Sequence, residues 1–112
     1  MRTIYIAGPY SAPNAWKREA NIRAAEALSL QLWRAGVPAI CVHSIARSFH
    51  GEVSESDAMA IDDELLRRCD AVLLAPGWSA SAGTMHEMDL AQSLSMPVFA
   101  DVNDCIEWAK EV

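Results

Sequence analysis

Short apolar runs alternate along the chain with longer amphipathic stretches. Thr3 to Ala7 (TIYIA) is rich in β-branched and aromatic residues and stops at Gly8-Pro9, which predicts a buried first strand. After the loop GPYSAP, Asn14 is placed to N-cap a helix running to about Ala35. Ile22, Ala25, Leu28, Leu32 and Ala35 recur at spacings of three and four and give it one apolar face. Gly36 is set as the residue just past that helix, with Pro38 two positions later. Pro38 to Val42 (PAICV) predicts a second strand, and His43 to Glu52 a loop of little periodicity. Ser54 and Asp57 open a capping box, followed by a helix with Ile61, Leu65 and Cys69 on its face. Ala71 to Ala75 (AVLLA) is apolar throughout, as a parallel strand covered on both sides must be. The small-residue loop PGWSASAG leads into a helix over Thr84 to Ser95, with Met88, Ala91 and Ser95 on one face. Pro97 to Ala100 then predicts a fourth strand and Asp104 to Lys110 a last helix.

The order β-α-β-α-β-α-β-α predicts an α/β fold, a small Rossmann-like or flavodoxin-like three-layer sandwich. Its parallel sheet would have four strands, or five at most, within a single domain over residues 1–112. In such sheets ligands bind beyond the carboxyl ends of the strands, near a reversal of strand order. GPYS, the His43 loop and PGWSASAG would share that edge.

A chain of 112 residues can bury one core without cross-links. No run of 18 apolar residues is present, and the apolar start breaks too early for a signal peptide, so a cytoplasmic protein is expected. A formal net charge of −6 without a Lys/Arg cluster argues against binding DNA or RNA. Cys41, Cys69 and Cys105 lack CxxC spacing and are expected to be free thiols. His43, His50 and His86 lack ligand spacing, so neither a metal nor any other cofactor is expected. Trp16, Trp33 and Trp108 read as packing residues.

Three segments can carry chemistry. Gly8, Pro9 and Tyr10 form a loop whose glycine permits close approach to a ligand, yet GxGxxG and GxxxxGK[ST] are both absent. In PGWSASAGTMHE, Ser79, Ser81 and Gly83 offer hydroxyls and N–H groups, and Trp78 a stacking surface. Glu87 lies about one turn inside the following helix, whose N-terminus is expected to keep it ionised. An ionised carboxylate in a crevice is a nucleophile or a base. The bland alternative is a solvated surface residue, and spacing does not choose between them. Asp62, in the run Ile61-Asp62-Asp63-Glu64, adjoins an apolar face position. A second carboxylate near Glu87 would complete the pair that glycosyl chemistry needs.

TIYIAGPY, the helix of Asp62, and CDAVLLAPGWSASAGTMHEMDLA together resemble the nucleoside 2-deoxyribosyltransferase-like superfamily, from Thr3 to about Ala100. The resemblance is closest to its short phage or bacterial branch. It implies that Glu87 attacks C1′ of a 2-deoxyribosyl or ribosyl group, that Tyr5 orients it, that Asp62 handles the base proton or hydrogen-bonds the substrate, and that Ser81 contacts the sugar or its 5′ group. It also implies a small-molecule nucleoside or nucleotide as partner and a homodimer or higher homo-oligomer. Members that hydrolyse 5′-monophosphates carry a basic or Gly-rich first loop. Here Pro9-Tyr10-Ser11 stands in its place, which points away from a 5′-phosphate. The expected function is therefore cleavage or transfer at an N-glycosidic bond, by a deoxyribosyltransferase or an N-glycoside hydrolase. The alternative is a pocket that binds a nucleotide or sugar phosphate without cleaving it.

Overall fold

The computed structural model describes residues 1–111. The elements run β1 (Ile4–Ala7), α1 (Ala15–Arg34), β2 (Ala39–Ile40), α2 (Val42–Phe49), α3 (Glu55–Arg67), β3 (Ala71–Leu74), α4 (Ala82–Ser93), β4 (Val98–Phe99) and α5 (Val102–Lys110). A short 3₁₀ turn, Trp78–Ala80, precedes α4. The four strands pair in parallel in the order β2-β1-β3-β4, giving a small Rossmann- or flavodoxin-like sandwich. The order reverses between β1 and β3, and in sheets of this kind ligands bind beyond the carboxyl ends of the strands at such a reversal.

Alternation along β1 divides the core. Ile4 and Ile6 join Ala25, Leu32, Leu73 and Cys105 under α1 and α5. Tyr5 and Ala7 join Leu66, Cys69, Val72, Leu74 and Ala91 under α3 and α4. Each large aliphatic side chain so buried contributes about 1.5–3 kcal/mol. Helix ends follow local chemistry. Asn14, Ser54, Ser81 and Asp101 cap α1, α3, α4 and α5 through their side-chain oxygens. Gly36 ends α1 at φ +79°, with Val37 N–H donating to Leu32 O at 2.9 Å. The Trp33 indole N–H donates to Ala39 O at 3.1 Å, covering a carbonyl of edge strand β2.

Several expectations need correction. The chain turns into α2 at Val42, so β2 is two residues long, and the expected loop over His43–Glu52 is largely helix. Val42, Ile45 and Phe49 recur at helical spacing, but Ile45 and Phe49 are exposed and only His43 of α2 is buried. The helix is held instead by polar contacts with α1: Arg47 bridges Glu19 and Glu26, and the Ser44 hydroxyl donates to Glu26. The inward side of α3 is offset by one residue, for Ile61 is 55 % exposed while Leu66 and Cys69 are buried. Trp16 and Trp33 are 85 % and 67 % exposed and pack little; Trp108 does pack, against Phe99 and under the Arg2 guanidinium. All three cysteines are free, with Cys69 and Cys105 buried. Among the described residues no helix is long and apolar enough to cross a membrane.

Candidate active site

Glu87 sits in the second turn of α4, on the stripe that carries buried Thr84 and Ala91. That stripe faces the sheet, so the carboxylate is partly buried rather than solvated. Tyr5 meets it from the middle of β1, fully buried, its hydroxyl donating to Glu87 Oε2. The bond joins a strand residue and a helix residue 82 positions apart.

Burial, and next the negative charge of Glu87, keep the Tyr5 phenol protonated far above its ordinary range. Glu87 itself is pushed up to about 7. Burial is the main cause; the Tyr5 hydroxyl opposes it, and the charges of Asp62 and Asp63 reinforce it. The expectation that the helix N-terminus keeps Glu87 fully ionised is therefore corrected. The helix field fades within the first turn, and Glu87 lies beyond it, among carboxylates.

The one-residue offset of α3 is what brings Asp62 inward, on the same side as Leu66 and Cys69. Asp62 is pushed up to about 6 by burial and by Asp63, and its charge acts on both Tyr5 and Glu87. Tyr5 and Glu87 thus meet from β1 and α4, and the charge of Asp62 on α3 reaches both. Asp63 takes another partner, His86, whose Nε2 lies 3.0 Å from its Oδ2. That contact raises the His86 imidazole above its ordinary value and ties α3 to α4 at the rim. Sequence spacing gave no sign of it, because the two residues are 23 positions apart.

The loops around this trio are tightly built. Gly8 is required by close approach: a Cβ there would lie 2.5 Å from the Ala75 Cβ. Ala75 N–H donates to Ala7 O at 2.8 Å, joining the ends of β1 and β3. Gly77 turns the chain at φ +83°, next to the Pro9 ring. Trp78 is partly buried against the α3/α4 core, while Ser79 is exposed in the 3₁₀ turn. The Ser81 hydroxyl oxygen accepts from Thr84 N–H at 3.2 Å and from the Thr84 hydroxyl at 2.9 Å. Ser81 therefore has a structural role as a cap and retains its own O–H to donate. Gly83 is exposed and adds no bulk beside Glu87's helix entrance. The Tyr10 hydroxyl is engaged with α2, 3.0 Å from His50 Nδ1 and 3.3 Å from Ala46 O.

No group of three or more His, Cys, Asp or Glu among the described residues is arranged to hold a metal ion. A depression bounded by Met1, Arg2, Gly36 and Asp70 lies at the opposite, amino-terminal ends of the strands.

The profile of a family described as a domain of unknown function, DUF4406, matches residues 2–100. The chain belongs to this family. The matched span takes in β1, the Asp62 helix, the loop after β3 and the Glu87 helix, so Tyr5, Asp62 and Glu87 all lie within the DUF4406 domain. The family description assigns no activity, and among curated proteins none matches the chain.

Proposed function

We propose that this DUF4406 domain cleaves or transfers at the N-glycosidic bond of a nucleoside, with Glu87 as nucleophile. The observation that carries the reading is the partly buried Tyr5–Glu87 hydrogen bond, with the charge of a second carboxylate, Asp62, acting on Glu87. Burying acids among other acids costs stability, and groups perturbed in this way cluster at functional sites. The resemblance to nucleoside 2-deoxyribosyltransferase-like proteins assigns these same three residues compatible roles.

In the first step a Glu87 carboxylate oxygen bonds to C1′ while the C1′–N bond breaks. The bonding pair leaves with the base, which takes its proton from Asp62. Between pH values of about 6 and about 7 a single proton resides mainly on Glu87, and the productive form is the minor one that holds it on Asp62. The Tyr5 hydroxyl stabilises the negative charge on Glu87 in that form. In the second step water or another base attacks C1′ and releases the carboxylate.

A neutral nucleoside suits the surroundings better than a 5′-monophosphate. Asp62 and Asp63 make the surroundings of Glu87 acidic, and the nearby His86 imidazole is already paired with Asp63. Arg47 is bound up with Glu19 and Glu26. Exposed Trp16, Trp33 and Phe49 support the further reading that the chain assembles with copies of itself. Sedimentation showing only a monomer at micromolar concentration would refute that assembly.

The test is incubation with a panel of deoxynucleosides, ribonucleosides and their 5′-monophosphates, with and without a second base, followed by chromatography of the released base. Release or exchange that disappears in Glu87→Ala is the expected result. No release from any member, or release undiminished in the variant, would overturn the proposal.

A further inference from the structure

His43 is the buried histidine that the reaction above does not use. It is 3 % exposed and stands in the first turn of α2. Its Nε2 lies 3.0 Å from Gly8 O and 3.1 Å from Pro9 O, two successive main-chain carbonyls. Carbonyl oxygens only accept, so Nε2 carries the hydrogen and donates to both. Nδ1 is then a bare lone pair, and it is buried without a partner. Burial lowers the imidazole's affinity for a second proton, which keeps the ring neutral near pH 7. The groups facing it are the Tyr10 ring, 6.0 Å away and tilted, and more distantly the Glu26 carboxylate of α1.

An orphaned buried nitrogen is unfavourable, and an aliphatic side chain would fill the same space without it. What only the histidine supplies is a hold on the loop that follows β1. That loop begins three residues after Tyr5 and is pressed on its other side against Ala75 and Gly77. Behind His43, α2 is braced on α1 by Arg47, Glu19, Glu26 and Ser44. The Gly8–Tyr10 segment is thus clamped between a braced helix and the loop that leads to Glu87.

We infer that His43 is a positioning residue: its Nε2–H fixes the Gly8–Pro9–Tyr10 loop at the carboxyl end of β1, and so governs how substrate binds rather than how fast the bond breaks. The inference rests on the reading of that end of the sheet as the substrate site. Two variants separate the hold from simple space-filling. His43→Leu fills the volume without a donor; His43→Gln keeps an N–H donor near the Nε2 position.

The experiment has three readouts. In the wild-type protein, long-range ¹⁵N correlation of the imidazole should show Nε2 protonated and Nδ1 bare; the opposite tautomer would overturn the inference. In His43→Leu, amide exchange at Gly8, Tyr10 and Ser11 should accelerate by about tenfold or more, and His43→Gln should restore it. With a nucleoside that the wild type turns over, KM in His43→Leu should rise about tenfold with kcat within about threefold. Unchanged exchange in His43→Leu, identical behaviour of the two variants, or a fall in kcat at constant KM would each overturn it. The first two readouts need no turnover. An inactive wild type therefore overturns the nucleosidase reading, while the tautomer and exchange results still decide for or against the hold.

Discussion

β1 sends Ile4 and Ile6 to one side of the sheet and Tyr5 and Ala7 to the other, and the two sides are built to different ends. Under α1 and α5 the interior is aliphatic, with Leu32, Val37, Leu73 and Cys105 filling it. Under α3 and α4 the same strand presents a phenol to a buried carboxylate, and a second acid leans in from α3. The first side follows the rule that cores exclude charge. The second breaks it where the strand order reverses, and so combines a local cost with a place fit for a ligand. One side carries stability, and the other holds the residues to which the proposal assigns chemistry.

The largest effects should fall on opposite properties. Glu87→Ala is expected to reduce base release by about 1000-fold or more, measured by initial rates on the best nucleoside of the panel. Ile6→Ala, one residue from Tyr5 but on the aliphatic side, should cost about 2–5 kcal/mol in urea unfolding. It should leave kcat of the folded fraction nearly unchanged. If Ile6→Ala abolished kcat at full folding, the division between the sides would fail.

Next in size is the stability cost of the acid itself. The Glu87 carboxyl is held at about 7 in the folded protein, above its ordinary 4.5. The folded state therefore holds the proton more tightly than the unfolded chain. The stability this confers is complete below about 4.5 and is lost as pH rises through about 7. Glu87→Gln, which is never charged, should match the wild type near pH 4 and exceed it by about 1–3 kcal/mol at pH 8. Equal stability across that range would mean that Glu87 is not buried as described.

The same pair sets the rate profile. If Glu87 must be ionised and Asp62 protonated, kcat/KM should peak between about 6 and about 7 and fall on both sides. Asp62→Asn should remove the alkaline fall. A profile that keeps rising to pH 9 in the wild type would take the proton-donor role from Asp62.

The smallest expected effect contrasts two helix ends. α1, over the aliphatic side, ends with Gly36 in the left-handed region, while α4, which carries Glu87, ends with Ser95 at φ +57°. Met96 N–H reaches back to Ala91 O at 2.9 Å, just as Val37 reaches Leu32. Ser95→Gly should relieve the strained backbone and stabilise by about 1 kcal/mol in thermal unfolding, with no change in rate.

Most of the scaffold was legible in the sequence because burial on both faces leaves a plain mark. TIYIA and AVLLA are apolar end to end, and Gly8, Gly36 and the Ser54 cap punctuate them. α2 was missed although Val42, Ile45 and Phe49 recur at helical spacing; the stripe is short and mostly exposed, and the helix is held by ion pairs that only the fold brings together. α3 misled by one residue, because Ile61 is apolar yet exposed. Spacing offered Glu87 and Asp62 only as open choices. Tyr5 was hidden inside an apolar run, and family resemblance alone singled it out. Asp63–His86 and His43–Gly8 join residues 23 and 35 positions apart, so no local pattern could disclose them.

The central claim is that Glu87 bonds to the anomeric carbon. Acid quenching of the wild-type enzyme during turnover of the best nucleoside, followed by peptide mass mapping, addresses it most directly. The account predicts a mass gain of one glycosyl group on the peptide containing Glu87, absent in Glu87→Gln. Base release in the wild type with no adduct on Glu87, or with the adduct on another residue, would contradict it.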